Sequence, residues 1–357
     1  MSQAYLNRLS VATPDNDVHC TFVEFAERMM KNRRMRLLFQ RMAVRADIRR
    51  RWSTLRPAKA GFNESLDDEG FYASGNFPST GARMRRYHRE AAPLAAKAVN
   101  RLISQEVSEK ITHLIVTSCT GFAAPGVDFE IIRRCNLEHS IERTVIGFMG
   151  CNAAINALKL ARHIVRSAPD SRVLIVSVEL CTLHLQESER IEQLLSFLLF
   201  GDGCAAAIVS ADPHGFSLDA FHAELAQDAS DQITWDIGDS GFDMLLSGQV
   251  PTTIAHALRA GSRRILAGQA SREFQMWAVH PGGRSVLDAV QDAFELDEAA
   301  LAASRGVLQD YGNMSSPTIL FVLEGLMREK PAKGSRGCAM AFGPGLTAEC
   351  MLFSAAA

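Results

Sequence analysis

A chain of 357 residues, 47% hydrophobic and 22% charged, can bury a large core in one big domain or two fused ones. Its formal net charge of −2 gives no reason to expect a nucleic-acid partner. The first residues lack the basic start and apolar core of a secretory signal and no apolar run approaches a membrane span, so a cytoplasmic protein without a membrane partner is expected. The eight cysteines are scattered with no CxxC pair, which argues against a metal site and a disulfide framework and for reduced thiols.

In chain order, Thr21 to Arg56 reads as helical and strongly basic, by default a solvated face or a dimer rim. A loop rich in Gly, Asn, Asp and Ser follows Pro57 and runs to Gly81. Arg86 to Glu109 reads as an amphipathic helix. His113–Thr117, Val173–Val178 and Ala205–Val209 are short apolar runs of buried-strand type, alternating with helical stretches. This order implies a layered α/β protein. Phe216 to Phe242 is weaker in pattern and predicts edge strands and loops.

Cys151 lies where an apolar run stops at Gly150 and a helix-forming run, Asn152 to Ser167, begins. Thiolate is the attacking form of cysteine, and the unpaired N–H groups of a helix start favour that anion. A buried, inert cysteine fits the same local context equally well.

The second half repeats the order of the first. Gln275–Val279 corresponds to the strand ending at Val116, the helix beginning near Asn313 to the one at Cys151, and Gly337–Phe342 to the strand at Val173. The spacings are close: 35 residues from Val116 to Cys151 and 34 from Val279 to Asn313. Any α/β protein shows some such recurrence. His280 ends a strand before Pro281-Gly282-Gly283, at the sheet edge that ligands favour, and Asn313 precedes the apolar helix Ile319 to Met327. Singly, the first is as readily a structural histidine and the second a helix cap.

Together, Gly150-Cys151, Val279-His280-Pro281-Gly282-Gly283 and Gly312-Asn313-Met314-Ser315-Ser316 resemble the Cys-His-Asn motifs of the type III polyketide synthases, the chalcone synthase-like family. Cys119-Thr120-Gly121-Phe122, Leu199-Phe200-Gly201-Asp202-Gly203 and Ala341-Phe342-Gly343-Pro344-Gly345-Leu346 extend the resemblance over the whole chain. The resemblance implies the thiolase fold, a five-layered αβαβα arrangement with residues 1–212 carrying the cysteine, residues 213–357 carrying the histidine and asparagine, and a homodimer. It also implies an acyltransferase. Cys151, held as a thiolate by the helix end and a protonated His280, would load an acyl-CoA starter. His280 and Asn313 would donate to the malonyl-CoA thioester oxygen as CO₂ leaves. Repeated condensations and cyclisation would yield a pyrone, resorcinol, phloroglucinol or related aromatic. No metal, flavin, nicotinamide or other cofactor is implied beyond the CoA thioesters themselves.

Other positions carry over singly. Phe200 matches the gatekeeper phenylalanine, Ser315 a cavity serine, and Arg41 and Arg45 the cationic contacts to CoA phosphates, while Leu38 stands where another cation is common. Cys119 replaces a threonine of plant enzymes, His184 aligns with a cavity threonine, and Ala124 stands where a methionine often crosses the dimer interface. Two other classes compete. A β-ketoacyl synthase III or HMG-CoA synthase would perform one condensation, but the former typically has a His-Gln-Ala-Asn-like motif, absent at His280. A nucleic-acid-binding or scaffold protein would use Arg28 to Arg56, without an aromatic stacking platform to accompany it.

Overall fold

The computed structural model describes residues 2–59, 65–103, 110–226 and 228–356. The first half runs β1 (Tyr5–Ala12), β2 (Asn16–Asp17), α1 (His19–Met29), α2 (Arg33–Arg45), β3 (Trp52–Ser53), α3 (Thr80–Ile103), β4 (His113–Ser118), α4 (Val127–Arg134), β5 (Glu142–Gly147), α5 (Ala153–Ser167), β6 (Val173–Leu180), α6 (Ile191–Leu199) and β7 (Asp202–Ser210). The second runs β8 (Phe216–Leu225), β9 (Ile233–Gly238), β10 (Gly241–Leu246), α7 (Val250–Ile265), β11 (Met276–Val279), α8 (Arg284–Phe294), α9 (Ala302–Tyr311), α10 (Thr318–Arg328), β12 (Arg336–Gly343) and β13 (Thr347–Ala355).

Nine strands form one sheet in the order β11-β12-β13-β8-β1-β7-β6-β4-β5. It contains one pattern twice. β4 lies parallel to β6, β6 antiparallel to β7, and β7 antiparallel to β1. β11, β12, β13 and β8 repeat those relations in the same chain order. The two sets meet where Tyr5 and Leu6 pair with Ser217 and Phe216, and β5 is an extra strand beside β4.

Alternation along strands buried on both faces divides the core into layers. Val173 and Ile175 of β6 face a central cluster shared with α5 and α10, whereas Leu174, Val176 and Val178 face one shared with α3 and α4. In the repeat, Ala339 and Ala341 of β12 face the same central cluster, and Cys338 and Met340 face one shared with α7 and α8. The layers therefore run helix, sheet, helix, sheet, helix. This is the thiolase fold.

Several boundaries differ from expectation. The basic stretch is two helices, broken where the Asn32 side chain accepts from Arg34 N and Met35 N as an N-cap, and the second stops at Arg45. The loop expected between Pro57 and Gly81 includes residues 60–64, outside the described residues. α3 begins at Thr80, six residues before the expected start, and runs through Pro93; the expected end, 104–109, lies outside the described residues. β8 is central rather than an edge, because it joins the two strand sets. Among the described residues no helix is long and apolar enough to cross a membrane.

Candidate active site

Cys151 sits in a short 3₁₀ turn, Gly150–Asn152, that leads directly into α5. Gly150 has φ +76°, and a Cβ there would lie 2.2 Å from Pro344 Cδ, so the turn requires glycine. Its N–H donates to Cys119 Sγ at 3.0 Å, which ties the turn to the end of β4. His280 follows β11; its backbone N–H donates to Met340 O at 2.8 Å, and its ring is buried with neither nitrogen partnered among the described residues.

Asn313 lies in the loop between α9 and α10. It stands five residues before the first residue of α10, so it belongs to the preceding turn and not to the helix start that sequence spacing suggested. Gly312, φ +68°, makes that turn, and a Cβ there would come within 2.7 Å of Leu199 O. Asn313 N donates to Leu199 O at 2.8 Å and Asn313 O accepts from Gly201 N at 3.0 Å, which stitches this loop to the Phe200 segment. Oδ1 accepts from Ser315 N at 2.8 Å and from the Cys151 thiol at 4.0 Å. Those contacts orient the amide and leave Nδ2 without an acceptor among the described residues.

Cys151, His280, Asn313, Phe200, Ser315 and Cys119 all line one cavity with about 690 Å³ of unfilled space, part of it open to solvent. Its far wall comes from the β9–β10 hairpin and the start of α7, through Ile233, Trp235, Leu246, Val250 and Ile254. Trp235 Nε1 donates to Cys119 O at 2.8 Å, fixing that wall to the floor. Cys119 thus both lines the cavity and accepts a bond that shapes the nucleophile's turn.

Four expected binding residues lie outside this cavity. His184 is fully buried behind the wall, its Nε2 donating to Thr120 O at 2.7 Å and its Nδ1 accepting from Phe242 N at 3.0 Å. It stacks on Phe242 and touches the edge of Trp235, so it supports the lining rather than forming it. Ala124 is exposed and outside the cavity. Arg41 is exposed on α2, while Arg45 lines a separate surface cleft with Met42, Leu199, Gly283 and Arg284. Leu199 and Gly283 of that cleft adjoin Phe200 and Gly282 of the cavity in sequence, which places the cleft beside it.

The electrostatics of the two groups follow from burial. Burial pushes the Cys151 thiol up to about 11 and the His280 imidazole down to about 3, so the cavity favours neither ion by itself, and no hydrogen bond joins the two. A preformed thiolate and imidazolium are not what these surroundings stabilise singly. Sequence reasoning also passed over Glu179, fully buried at the end of β6. It accepts from Cys119 N, Thr120 Oγ1 and Ser316 Oγ at 2.7 to 2.8 Å, and burial lifts its carboxyl to about 7. A charged residue near the end of the mostly apolar, fully buried run Val173–Leu180 was the available signal. Among the described residues no group of histidine, cysteine and carboxylate side chains is placed to hold a metal ion.

A soft nucleophile, an imidazole with two free nitrogens and an amide donor around one apolar cavity can perform acyl transfer and stabilise a developing oxyanion. Comparison with known proteins agrees. Residues 2–213 match the model for the N-terminal domain of chalcone and stilbene synthases, and residues 218–357 match that for the C-terminal domain. The chain is 34% identical over 284 residues to the alpha-pyrone synthesis polyketide synthase-like Pks18 of Mycobacterium tuberculosis, covering 76% of this chain and 72% of that one. It is 33% identical over 313 residues to bisdemethoxycurcumin synthase of Oryza sativa subsp. japonica, covering 82% and 78%. The crystal structure of PKS-I from the brown alga Ectocarpus siliculosus superimposes with a TM-score of 0.89 over 99% of both chains at 28% identity. The chain belongs to the chalcone and stilbene synthase family and is a type III polyketide synthase, an acyltransferase.

Proposed function

We propose that Cys151 loads an acyl-CoA starter and that His280 and Asn313 drive its repeated extension by malonyl-CoA. The observation that carries this is the convergence of the thiol, the unpartnered imidazole and the free Nδ2 on one cavity. In loading, His280 takes the thiol proton as Sγ attacks the thioester carbon, and it returns that proton to the departing CoA sulfur. Transfer within the cavity exchanges two neutral groups for an adjacent ion pair, so no net charge is buried. In extension, CO₂ leaves malonyl-CoA with its bonding pair remaining as an enolate. Imidazole N–H and Asn313 Nδ2 hydrogen-bond the thioester oxygen where that charge develops. The enolate carbon attacks the acyl-Cys151 carbonyl, freeing the thiol to accept the lengthened chain. Decarboxylation makes the carbanion without a base, which explains an amide in the set.

The apolar wall from β9, β10 and α7 suits an apolar starter, and the gatekeeper role of Phe200 is supported by its lining the cavity while its neighbour Leu199 lines the cleft that holds Arg45. Arg45 and Arg41 would meet CoA phosphates there. A pyrone, as named for the mycobacterial relative, or a resorcinol, phloroglucinol or related aromatic is the product class. The reading needs no cofactor beyond CoA thioesters, and it takes the enzyme to be cytoplasmic, where such thioesters are available. Residues 1–212 and 213–357 form the two thiolase-like halves, in keeping with the repeated strand order. Among the described residues β5 leaves its outer edge unpaired beside exposed Phe122, Phe129, Val145 and Met149, which supports a homodimer paired there, with Ala124 in the same segment.

The deciding experiment incubates the protein with labelled malonyl-CoA and a panel of acyl-CoA starters and identifies products by mass. Products of two or more extensions are expected, with starter label on Cys151. A single condensation would favour a β-ketoacyl synthase III-like enzyme, and neither product nor label would refute the assignment. His280→Ala and Asn313→Ala should each lower malonyl-CoA decarboxylation by about 10²-fold or more.

A further inference from the structure

The proposed chemistry leaves most of α2 unused. Of its 13 residues only Phe39 is buried. Arg33, Arg34, Arg36, Arg41 and Arg45 are all exposed, the helix holds no carboxylate, and among the described residues none of the five guanidinium groups has an ion-pair or hydrogen-bond partner. Close by, Lys31 pairs with Glu189 and Arg49 with Asp310, and Asp47 accepts a hydrogen bond from Gln309. Between the arginines stand apolar side chains in water, with Leu37 48%, Leu38 45%, Met42 37% and Val44 82% exposed. At 3.6 residues per turn Val44, Leu37, Arg41 and Leu38 fall within about a third of the helix circumference. A face that only had to stay solvated would not carry them.

We propose that α2 is a peripheral docking element for an anionic lipid surface. Unpaired cations are drawn to acidic headgroups, and Leu37, Leu38 and Val44 enter the boundary beneath while the arginine stems extend back to the phosphates. An acidic protein would match the charge but would set Leu37 and Val44 against carboxylates, so the mixed face favours lipid. Met42 and Arg45 also line the cleft beside the active-site cavity, so docking here holds that cleft at the membrane, where long-chain acyl-CoAs partition. The inference requires no particular starter and is read by binding, apart from turnover.

The test is cosedimentation of the full chain with vesicles of equimolar phosphatidylglycerol and phosphatidylcholine, or of phosphatidylcholine alone. Binding is expected only with phosphatidylglycerol present and should vanish near about 1 M salt. Arg33→Glu/Arg34→Glu/Arg36→Glu should weaken it on the order of a hundredfold, from about fivefold per cation. Leu37→Asp/Val44→Asp should weaken it about tenfold or more. Both variants should keep wild-type size on gel filtration and wild-type turnover of a short, soluble starter. Equal binding to both vesicles would overturn the proposal. Phosphatidylglycerol binding untouched by Leu37→Asp/Val44→Asp would instead mark a general polyanion site suited to an acidic protein. A changed oligomeric state in either variant would assign the face to a second copy.

Discussion

At the scale of single residues, the thiol's reactivity depends on its proton having somewhere to go. Burial holds Cys151 near 11, and His280, at about 3, is the neutral acceptor lining the same cavity. In His280→Ala nothing remains to take the proton, so iodoacetamide labelling of Cys151 should fall steeply at pH 7 and rise about tenfold per pH unit from 7 to 10, as for an isolated thiol of high pKa. The intact protein should give a flatter profile. Identical profiles would show that His280 does not activate the thiol. Arg51 makes a second residue-scale case. Its buried Nη1 donates to the carbonyls of Phe197 and Phe200 at 2.9 and 2.7 Å, and its Nε donates to His19 Nδ1 at 3.0 Å. Removing it orphans the Phe200 carbonyl and leaves Phe197 O, at the end of α6, with only the Phe200 N–H. Arg51→Ala should therefore cost about 3 kcal/mol in urea unfolding, and a loss under 1 kcal/mol, about one ordinary hydrogen bond, would refute the anchoring role.

At the scale of elements, what could be read in advance followed from burial. β4, β6, β7, β11 and β12 are covered on both faces and so appear in the sequence as short, near-continuous apolar runs. β8 and the β9–β10 hairpin are half-exposed and mixed in composition, so their periodicity is weak, although they supply the join between the strand sets and a wall of the cavity. The Cys-His-Asn set was legible because Cys151 and Asn313 each follow a glycine that the backbone requires, and His280 precedes Pro281-Gly282-Gly283, so each member leaves a motif. Trp235, Met244 and Cys181 line the same cavity from segments without any such punctuation. His184 illustrates the converse: aligned with a cavity residue, it turns inward because Thr120 O and Phe242 N take both of its ring nitrogens. β5 carries an element-scale prediction. Its side chains are mostly exposed, and Val145 is 52% so. Val145→Asp would place a carboxylate on the proposed pairing edge and should convert a dimer to monomer by light scattering, with the fold unchanged by circular dichroism. A variant still fully dimeric would move the interface elsewhere.

At the scale of the whole molecule, groups ionising in opposite senses are buried in one core, and their balance sets how stability responds to acid. Burial lowers His19 to about 4 and His184 and His280 to about 3. Each contributes stability above the unfolded histidine value near 6.5 and loses it progressively as pH falls below that. Glu179, raised to about 7, and Asp202, raised to about 6, act oppositely: their contribution is greatest below the unfolded carboxyl values and is lost as pH rises through the folded ones. Between pH 6 and 5 the unfolded chain binds protons at three histidines that the folded chain leaves bare, while the folded chain binds them at two carboxyls. The surplus is about one proton taken up on unfolding, so stability falls on the order of 1 kcal/mol per pH unit of acidification. Urea titrations at pH 6 and 5 should show that loss, and equal or greater stability at pH 5 would contradict it. Asp202→Asn removes one opposing carboxyl. Although it disturbs the bonds from Thr54 N and Thr182 to that side chain and lowers stability at every pH, it should steepen the acid loss towards two protons. The slope therefore separates the ionisation of Asp202 from its packing.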